Sequence, residues 1–152
     1  MGDGSVLVLF KLGRLGDDGT MMTPSDKEKV QVVDPSSGRT LTAWVHEVGD
    51  DVVVAVGGGD RPHVGCVVLA VPCSGRGGSG FSPSVSLLTI PPHKEEPIAR
   101  AVADEVCRRH GRVVVVTAGV HEDGIDRDGI EVFLLLGERL AEAVADLVGR
   151  LG

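Results

Sequence analysis

The sequence Pro91-Pro92-His93-Lys94-Glu95-Glu96-Pro97 joins a predicted apolar strand to a predicted amphipathic helix. Lys94 is the only lysine of four that lies outside the N-terminal region. Charged side chains beside the unpaired N–H groups of a helix start are a common means of holding anions. A plain polar turn with ordinary helix-start chemistry is the alternative. The segment is therefore both a structural boundary and a candidate anion site.

Upstream of this boundary, alternating apolar residues and turn signals predict a series of strands. These strands cover residues 29–33, 39–48, 52–56, 63–71 and 84–90. The continuous apolar run 52–56 predicts a strand that is covered on both faces. The segment 72–83, rich in Gly, Ser and Pro, predicts a loop that is either a functional lid or disordered.

Downstream, the pattern predicts a helix over 96–110, a buried strand over 113–116 that ends at 117–119, and a helix over 127–151. The last helix carries an apolar stripe that fits core packing or a dimer seam, and we favour the core. The stripe consists of Ile130, Phe133, Leu134, Leu140, Val144, Leu147 and Val148. This order of elements predicts an α+β fold, a mostly antiparallel meander with two main helices on one face. Residues 29–152 form one domain, and residues 1–28 are a tail or an edge strand, of which we favour the tail.

Composition excludes several classes of protein. The 152-residue chain has a formal net charge of −7, which argues against nucleic acid as the main partner. No apolar run approaches the roughly 20 residues that span a bilayer, so no membrane association is expected. Cys66, Cys73 and Cys107 form no zinc, redox or disulfide pattern, which favours a cytoplasmic location.

Three of the five histidines, His63, His93 and His121, fall at predicted strand boundaries. Strand ends of one sheet can be neighbours, so these side chains are expected to line one concave site. The glycines at 57–59, 65 and 119 are expected to let a ligand approach the backbone.

Three interpretations of this set stay open. A metal site would use His63, His93, His121 and Asp123. An acid–base enzyme would use His121 or His93 with a neighbouring carboxylate. A site for a phosphorylated ligand would use the histidines with Lys94 and Arg100 as donors. No nucleophile elbow, P-loop or dinucleotide fingerprint is present.

Several short motifs occur in a recognisable order along residues 29–145. They are Gly57-Gly58, Pro62-His63-Val64-Gly65, Ser84-Val85-Ser86, His93-Lys94-Glu95, Ala99-Arg100 and Ala118-Gly119-Val120-His121, the last followed by Asp123 and Ile125. In this order they resemble the LpdD-like prenylated-flavin chaperone family, the small D subunits that accompany UbiD-type aromatic acid decarboxylases.

The resemblance implies a fold similar to the proteasome-assembly chaperones, with an antiparallel β-sandwich, flanking helices and a tendency to form homodimers. It implies no turnover of its own. The protein would hold prenylated FMN in its reduced form, or FMN, and deliver it to the large subunit of a UbiD-type decarboxylase, with a flavin prenyltransferase as a further partner. The cofactor-binding residues carried over by position are His63, Gly65, Ser84, Ser86, His93, Lys94, Arg100 and His121.

A flavin phosphate needs charge-assisted donors, and its ring needs an apolar wall, for which Phe81 or Trp44 are candidates. Two other functions compete with this one. The chain could be a structural subunit of the decarboxylase that holds no cofactor, or a small metal-dependent enzyme.

Overall fold

The structure is a computed structural model that describes residues 5–11, 28–75, 80–92 and 95–152. Seven strands and two helices make up this part of the chain. Their bounds are β1 (Leu7–Lys11), β2 (Lys29–Val33), β3 (Thr40–Val48), β4 (Asp51–Gly59), β5 (Cys66–Ser74), β6 (Phe81–Thr89), α1 (Glu96–His110), β7 (Val114–His121) and α2 (Arg127–Leu151).

All seven strands lie in one sheet, in the order β1-β2-β3-β4-β7-β5-β6. β7 is inserted between β4 and β5, parallel to β4 and antiparallel to β5. The other described strand pairs are antiparallel. The predicted α+β class, with a mostly antiparallel sheet and two helices, is confirmed. Because the described residues form a single sheet, a β-sandwich would require a second sheet beyond them.

Both helices pack on the same face of the sheet. Their apolar stripes bury every second residue of the inner strands, which is the pattern of a sheet covered on one side. The strand side of this core includes Val32, Leu41, Val54, Val68 and Val116, and the helix side includes Val102, Val106, Leu136, Leu140 and Leu147.

Local signals set the helix ends. Gly111 adopts φ 62° and its N–H bonds the carbonyl of Cys107, so it ends α1 as a left-handed cap. Asp126 caps α2, because its carboxylate accepts the N–H of Gly129 at 2.8 Å. The predicted helix bounds, 96–110 and 127–151, agree with the structure.

Three predictions about the strands were wrong. Val53 and Ala55 of β4 are exposed, since neither α1 nor α2 packs on that face of the sheet. Much of the segment 72–83 is strand, with Pro72 opposite Pro83 and Cys73 opposite Ser82. We favoured a tail at the N-terminus, but Leu7–Lys11 pairs with β2 as an edge strand. Residues 12–27 lie outside the described part.

The apolar stripe of α2 packs mainly into the core, as preferred. Phe133, Leu140 and Val144 are buried. Ile130 and Leu134, which belong to the same stripe, are instead exposed and line a cleft described below. No helix in the described ranges is long and apolar enough to cross a membrane.

The core role of α2 can be tested by a pair of leucine substitutions on this helix. Leu140→Ala should lower the free energy of unfolding by about 2–5 kcal/mol, because it leaves a cavity under the sheet. Leu135, which is 45% exposed, provides the matched control, and Leu135→Ala should change stability by less than about 0.5 kcal/mol. Urea unfolding measures both, and equal effects would contradict the packing of α2.

Candidate functional site

Three chain segments meet at the end of the sheet where β4 and β7 finish. Parallel pairing places Gly59 opposite His121 and Gly57 opposite Gly119. A Cβ on Gly59 would lie 2.1 Å from the His121 carbonyl oxygen, and one on Gly119 would lie 1.9 Å from the His63 carbonyl oxygen. We expected the glycines to admit a ligand, but the chain's own backbone fills the space in the Cβ direction of Gly59 and Gly119. Because glycine has no side chain, the backbones of the His63 and His121 segments can lie this close together.

Arg61, His121 and Asp123 form an exposed cluster at this end of the sheet, here called the Arg61 cluster. Arg61 Nη2 donates to Asp123 Oδ1 at 2.6 Å and lies 2.8 Å from His121 Nε2. His121 Nε2 is in turn 2.8 Å from Asp123 Oδ1. The hydrogen bond with His121, and then that from Arg61, lower the pKa of the Asp123 carboxyl below its ordinary value.

His63 is held by a second set of contacts beside this cluster. Its Nδ1 donates to the Arg61 carbonyl oxygen at 3.1 Å, and its Nε2 lies 3.3 Å from Glu95 Oε1. Both ring nitrogens therefore face oxygen atoms, so the imidazole ring is oriented from two sides.

Glu95 connects this site to helix α1. Only 8% of Glu95 is exposed, and its Oε1 accepts the backbone N–H of Val120 at 3.3 Å. β5 pairs with β7 as far as Ala118, so the Glu95 carboxylate takes up a backbone donor beyond the end of that pairing. The Glu95 carbonyl also accepts the N–H groups of Ile98 and Ala99, which fixes the first turn of α1.

An apolar cleft of about 430 Å³ opens beside His121, between the first turns of the two helices and the end of β7. We call it the apolar cleft. It is lined by Pro92, Glu95, Ile98, Val120, His121, Glu122, Ile125, Ile130, Phe133 and Leu134. A concave apolar wall with a few polar groups at its edge is the usual form of a small-molecule site.

A second, more polar pocket of about 650 Å³ lies on the other side of Glu122, beside the ends of β3 and β4. Trp44 and the backbone of Gly57–Gly59 line it, and Glu122 and Phe133 line both this pocket and the apolar cleft. Arg39 Nη2 pairs with Glu122 Oε1 at 2.6 Å, so an ion pair borders the polar pocket.

The structure brings together only some of the predicted site residues. His63, Gly65 and His121 lie at the same end of the sheet, where the N–H of Gly65 bonds the Ala118 carbonyl at 2.8 Å. His93 and Lys94 lie outside the described residues. Their described neighbours Pro92 and Glu95 both line the apolar cleft.

Ser84, Ser86 and Arg100 lie apart from this group. Ser86 is opposite Leu69, which is opposite Val115, six residues before His121 along β7. At about 3.3 Å per residue this is about 20 Å from His121, and Ser84 lies farther away. Arg100 pairs with Glu96 at 2.9 Å and lines neither cleft. Sequence order alone could not show that β5 and β6 run away from the site.

The aromatic candidates separate in the same way. Trp44 lines the polar pocket. Phe81 lies at the opposite end of the sheet, where a Cβ on Gly111 would be 2.3 Å from its ring. The expectation that Phe81 forms a wall of this site was therefore wrong.

The sequence reasoning missed Arg61 and the role of Glu95 as a link between His63 and α1. The only sequence signal for Arg61 was its place in the glycine-rich segment two residues before His63. For a metal, the described ranges contain no group of three or more His, Cys, Asp or Glu residues that could hold one. His63 and His121 instead contact different carboxylates, Glu95 and Asp123.

Comparison with known proteins places the chain in a family. The sequence model of the prenylated flavin chaperone LpdD-like domain matches residues 36–149, about three quarters of the chain. The chain belongs to the LpdD-like prenylated flavin chaperone family. A search of solved structures found similarity to a chain in the crystal structure of a chaperone complex for yeast 20S proteasome assembly. That match has 16% identity and a TM-score of 0.45, and covers 95% of this chain and 96% of the other. The comparison with curated proteins found no match.

The Arg61 cluster predicts a measurable change in the titration of Asp123. In Arg61→Ala the pKa of Asp123 should rise towards its ordinary value, because one of the donors that stabilise the carboxylate is lost. Carboxyl ¹³C NMR would measure it. Arg127→Ala, which removes an exposed arginine paired with Glu131, is the control and should leave Asp123 unchanged.

The sign of the accompanying stability effect follows from this lowered pKa. Asp123 contributes stability above the pKa of the unfolded chain, and this contribution is lost as the pH falls through the lower folded-state pKa. Arg61→Ala should therefore lose less stability than the wild type on acidification. An unaltered Asp123 titration in Arg61→Ala would contradict the observed contact.

Proposed function

We propose that this protein is a non-catalytic carrier that binds prenylated FMN and assists its delivery to a UbiD-type aromatic acid decarboxylase. Membership of a prenylated flavin chaperone family supports the chaperone role. One structural observation supports it further: an apolar cleft of about 430 Å³ is lined by His121, and the Nε2 of this residue lies 2.8 Å from Arg61 Nη2.

The apolar part of the ligand suits the cleft. Prenylated FMN carries a fused ring system extended by a prenyl-derived ring, which is mainly apolar. Ile125, Ile130, Phe133 and Leu134 present aliphatic and aromatic surface on one wall. Covering this surface contributes about 25 cal/mol per Å² of apolar area removed from water.

The phosphate end of the ligand suits the Arg61 cluster. A phosphate monoester carries close to two negative charges near pH 7 and prefers guanidinium and imidazole donors. His121, which lines the cleft, and Arg61, which contacts His121, supply these donors. Lys94 and His93, which lie between the cleft residues Pro92 and Glu95 in the chain, are proposed as further donors. Because the protein is acidic overall, recognition of an anionic ligand depends on these individual donors.

A carrier of this kind needs one partner that supplies the cofactor and another that receives it. A flavin prenyltransferase would supply the reduced cofactor, and the large subunit of the decarboxylase would receive it. Cys66, Cys73 and Cys107 are free thiols, which is compatible with work in the cytoplasm. Exchange of cofactor favours exposed, weakly paired binding groups over a deeply buried cage.

Titration of the purified protein with reduced and oxidised prenylated FMN tests the proposal, with fluorescence or calorimetry as the measurement. Leu134→Asp should weaken binding by about tenfold or more, since it places a charge on the wall that covers the ring. Leu135→Asp is the matched control, because Leu134 and Leu135 are exposed to similar extents (40% and 45%) and only Leu134 lines the cleft. Absence of binding by either redox form would overturn the proposal.

The carrier acts as a homodimer through the sheet face that neither helix covers. By strand register this face carries apolar side chains across β3, β4, β7, β5 and β6. They are Trp44, Val53, Ala55, Val67, Leu69, Val71, Leu88 and Val115. A continuous apolar patch of this kind usually marks an interface. A second copy can place its identical face against it and form a two-sheet sandwich.

A charge in the middle of this face tests the dimer. Val53→Asp should convert a dimer into a monomer in light scattering, because an unpaired carboxylate would be buried between two sheets. Circular dichroism verifies that the variant is folded, and Leu135→Asp on the outer side of α2 serves as the control. A wild-type protein that is monomeric at high micromolar concentration would contradict the dimer.

A further inference from the structure

Arg61 Nη2 and a protonated His121 Nε2 converge on one oxygen of Asp123. Arg61 Nη2 and His121 Nε2 lie 2.6 and 2.8 Å from Asp123 Oδ1. A single oxygen shared by a guanidinium and an imidazole is also how a phosphate oxygen is commonly held. The carboxylate therefore occupies the position where an anionic ligand would meet these two side chains.

Asp123 is held in a manner that allows its side chain to leave. Its backbone N–H donates to Asp60 Oδ2 at 3.0 Å, which anchors the main chain without using the carboxylate. The next residue, Gly124, has φ 70°, so a tight turn carries Asp123 towards the cluster. The side chain itself is 72% exposed. Rotation of the carboxylate into water would thus leave the backbone contact intact.

We propose that Asp123 is an internal stand-in for the ligand's phosphate: it occupies Arg61 and His121 in the empty protein and is displaced when a phosphate monoester binds. This inference rests on the proposed function, since it concerns the anion-binding end of the same site. A phosphate carries more charge than a carboxylate and more acceptor oxygens, so it competes successfully for the two donors.

The stand-in has a consequence for release of the ligand. In the loaded protein the displaced carboxylate stays near the phosphate, and the like charges repel each other. When the ligand departs, Asp123 takes back Arg61 and His121, so these donors are not left without an acceptor. Both effects weaken binding and favour transfer to a receiving protein over permanent retention.

A purely structural role for Asp123 predicts the opposite result. If the carboxylate serves to orient Arg61 and His121 for the ligand, its removal would disorder these donors and weaken phosphate binding. The sign of the change in affinity therefore separates a competitor from a positioning residue.

The test compares FMN, riboflavin and inorganic phosphate as probes of the full-length protein and its variants. Asp123→Asn should tighten binding of FMN and inorganic phosphate by about fivefold, which corresponds to the upper end of the energies of exposed charge pairs. Riboflavin, which lacks the phosphate, should bind the variant and the wild type equally. Asp128→Asn makes the same charge change on the first turn of α2, and it should change FMN affinity by less than about twofold if distance screens it.

Weaker or unchanged FMN and phosphate affinity in Asp123→Asn would overturn the inference, as would an equal gain in Asp128→Asn. Asp123→Ser is a second variant that removes the charge if the amide disturbs folding. Failure of the proposed function has a different signature: neither flavin binds the wild type, while inorganic phosphate still binds Asp123→Asn more tightly. Absence of phosphate binding in both proteins would end the inference itself.

Discussion

β7 runs parallel to β4 and antiparallel to β5, and this double pairing brings distant chain segments to one end of the sheet. Gly59 then faces His121, and Gly119 lies under the His63 backbone, at separations that exclude any side chain. Everything at the candidate site follows from this placement. Glu95 accepts the Val120 N–H just beyond the β5–β7 pairing and thereby fixes where α1 begins. The apolar cleft is the space left between that helix start, the end of β7 and α2.

The described basic side chains at the site are each paired with a carboxylate of the chain. Arg39 is paired with Glu122, Arg61 with Asp123, and His63 with Glu95. A chain with a net charge of −7 can therefore present cationic groups without a strongly positive surface. In the proposed mechanism, an anionic ligand of Arg61 exchanges with the carboxylate of Asp123. Such exchange would suit the proposed carrier role, because exposed ion pairs are individually weak.

The two faces of the sheet have different roles. One face is sealed by α1 and α2 and supplies the core, in which Val, Leu and Ala do the packing that aromatic residues do elsewhere. The opposite face keeps Val53, Trp44 and Leu88 exposed to solvent. Because β4 carries apolar residues on this outer face as well as in the core, its continuous apolar run predicted a strand buried on both sides. Its apolar outer residues have no covering sheet among the described residues, and the proposed homodimer would supply one.

Local signals were sufficient for both helices and for the class of the fold, because caps, glycine stops and apolar periodicity act over a few residues. They also placed His63 and His121 at strand ends that turned out to be neighbours. They could not assign Ser84, Ser86 and Phe81, because the direction and register of β5 and β6 depend on pairing between distant segments. Arg61 and Glu95 joined the site for the same reason, since neither residue has a sequence motif of its own. The sequence by itself determined both helices and most of the inner strands, whereas only the tertiary structure decided the edge strands and which strand ends meet, because hydrogen bonding between strands is set by the whole sheet.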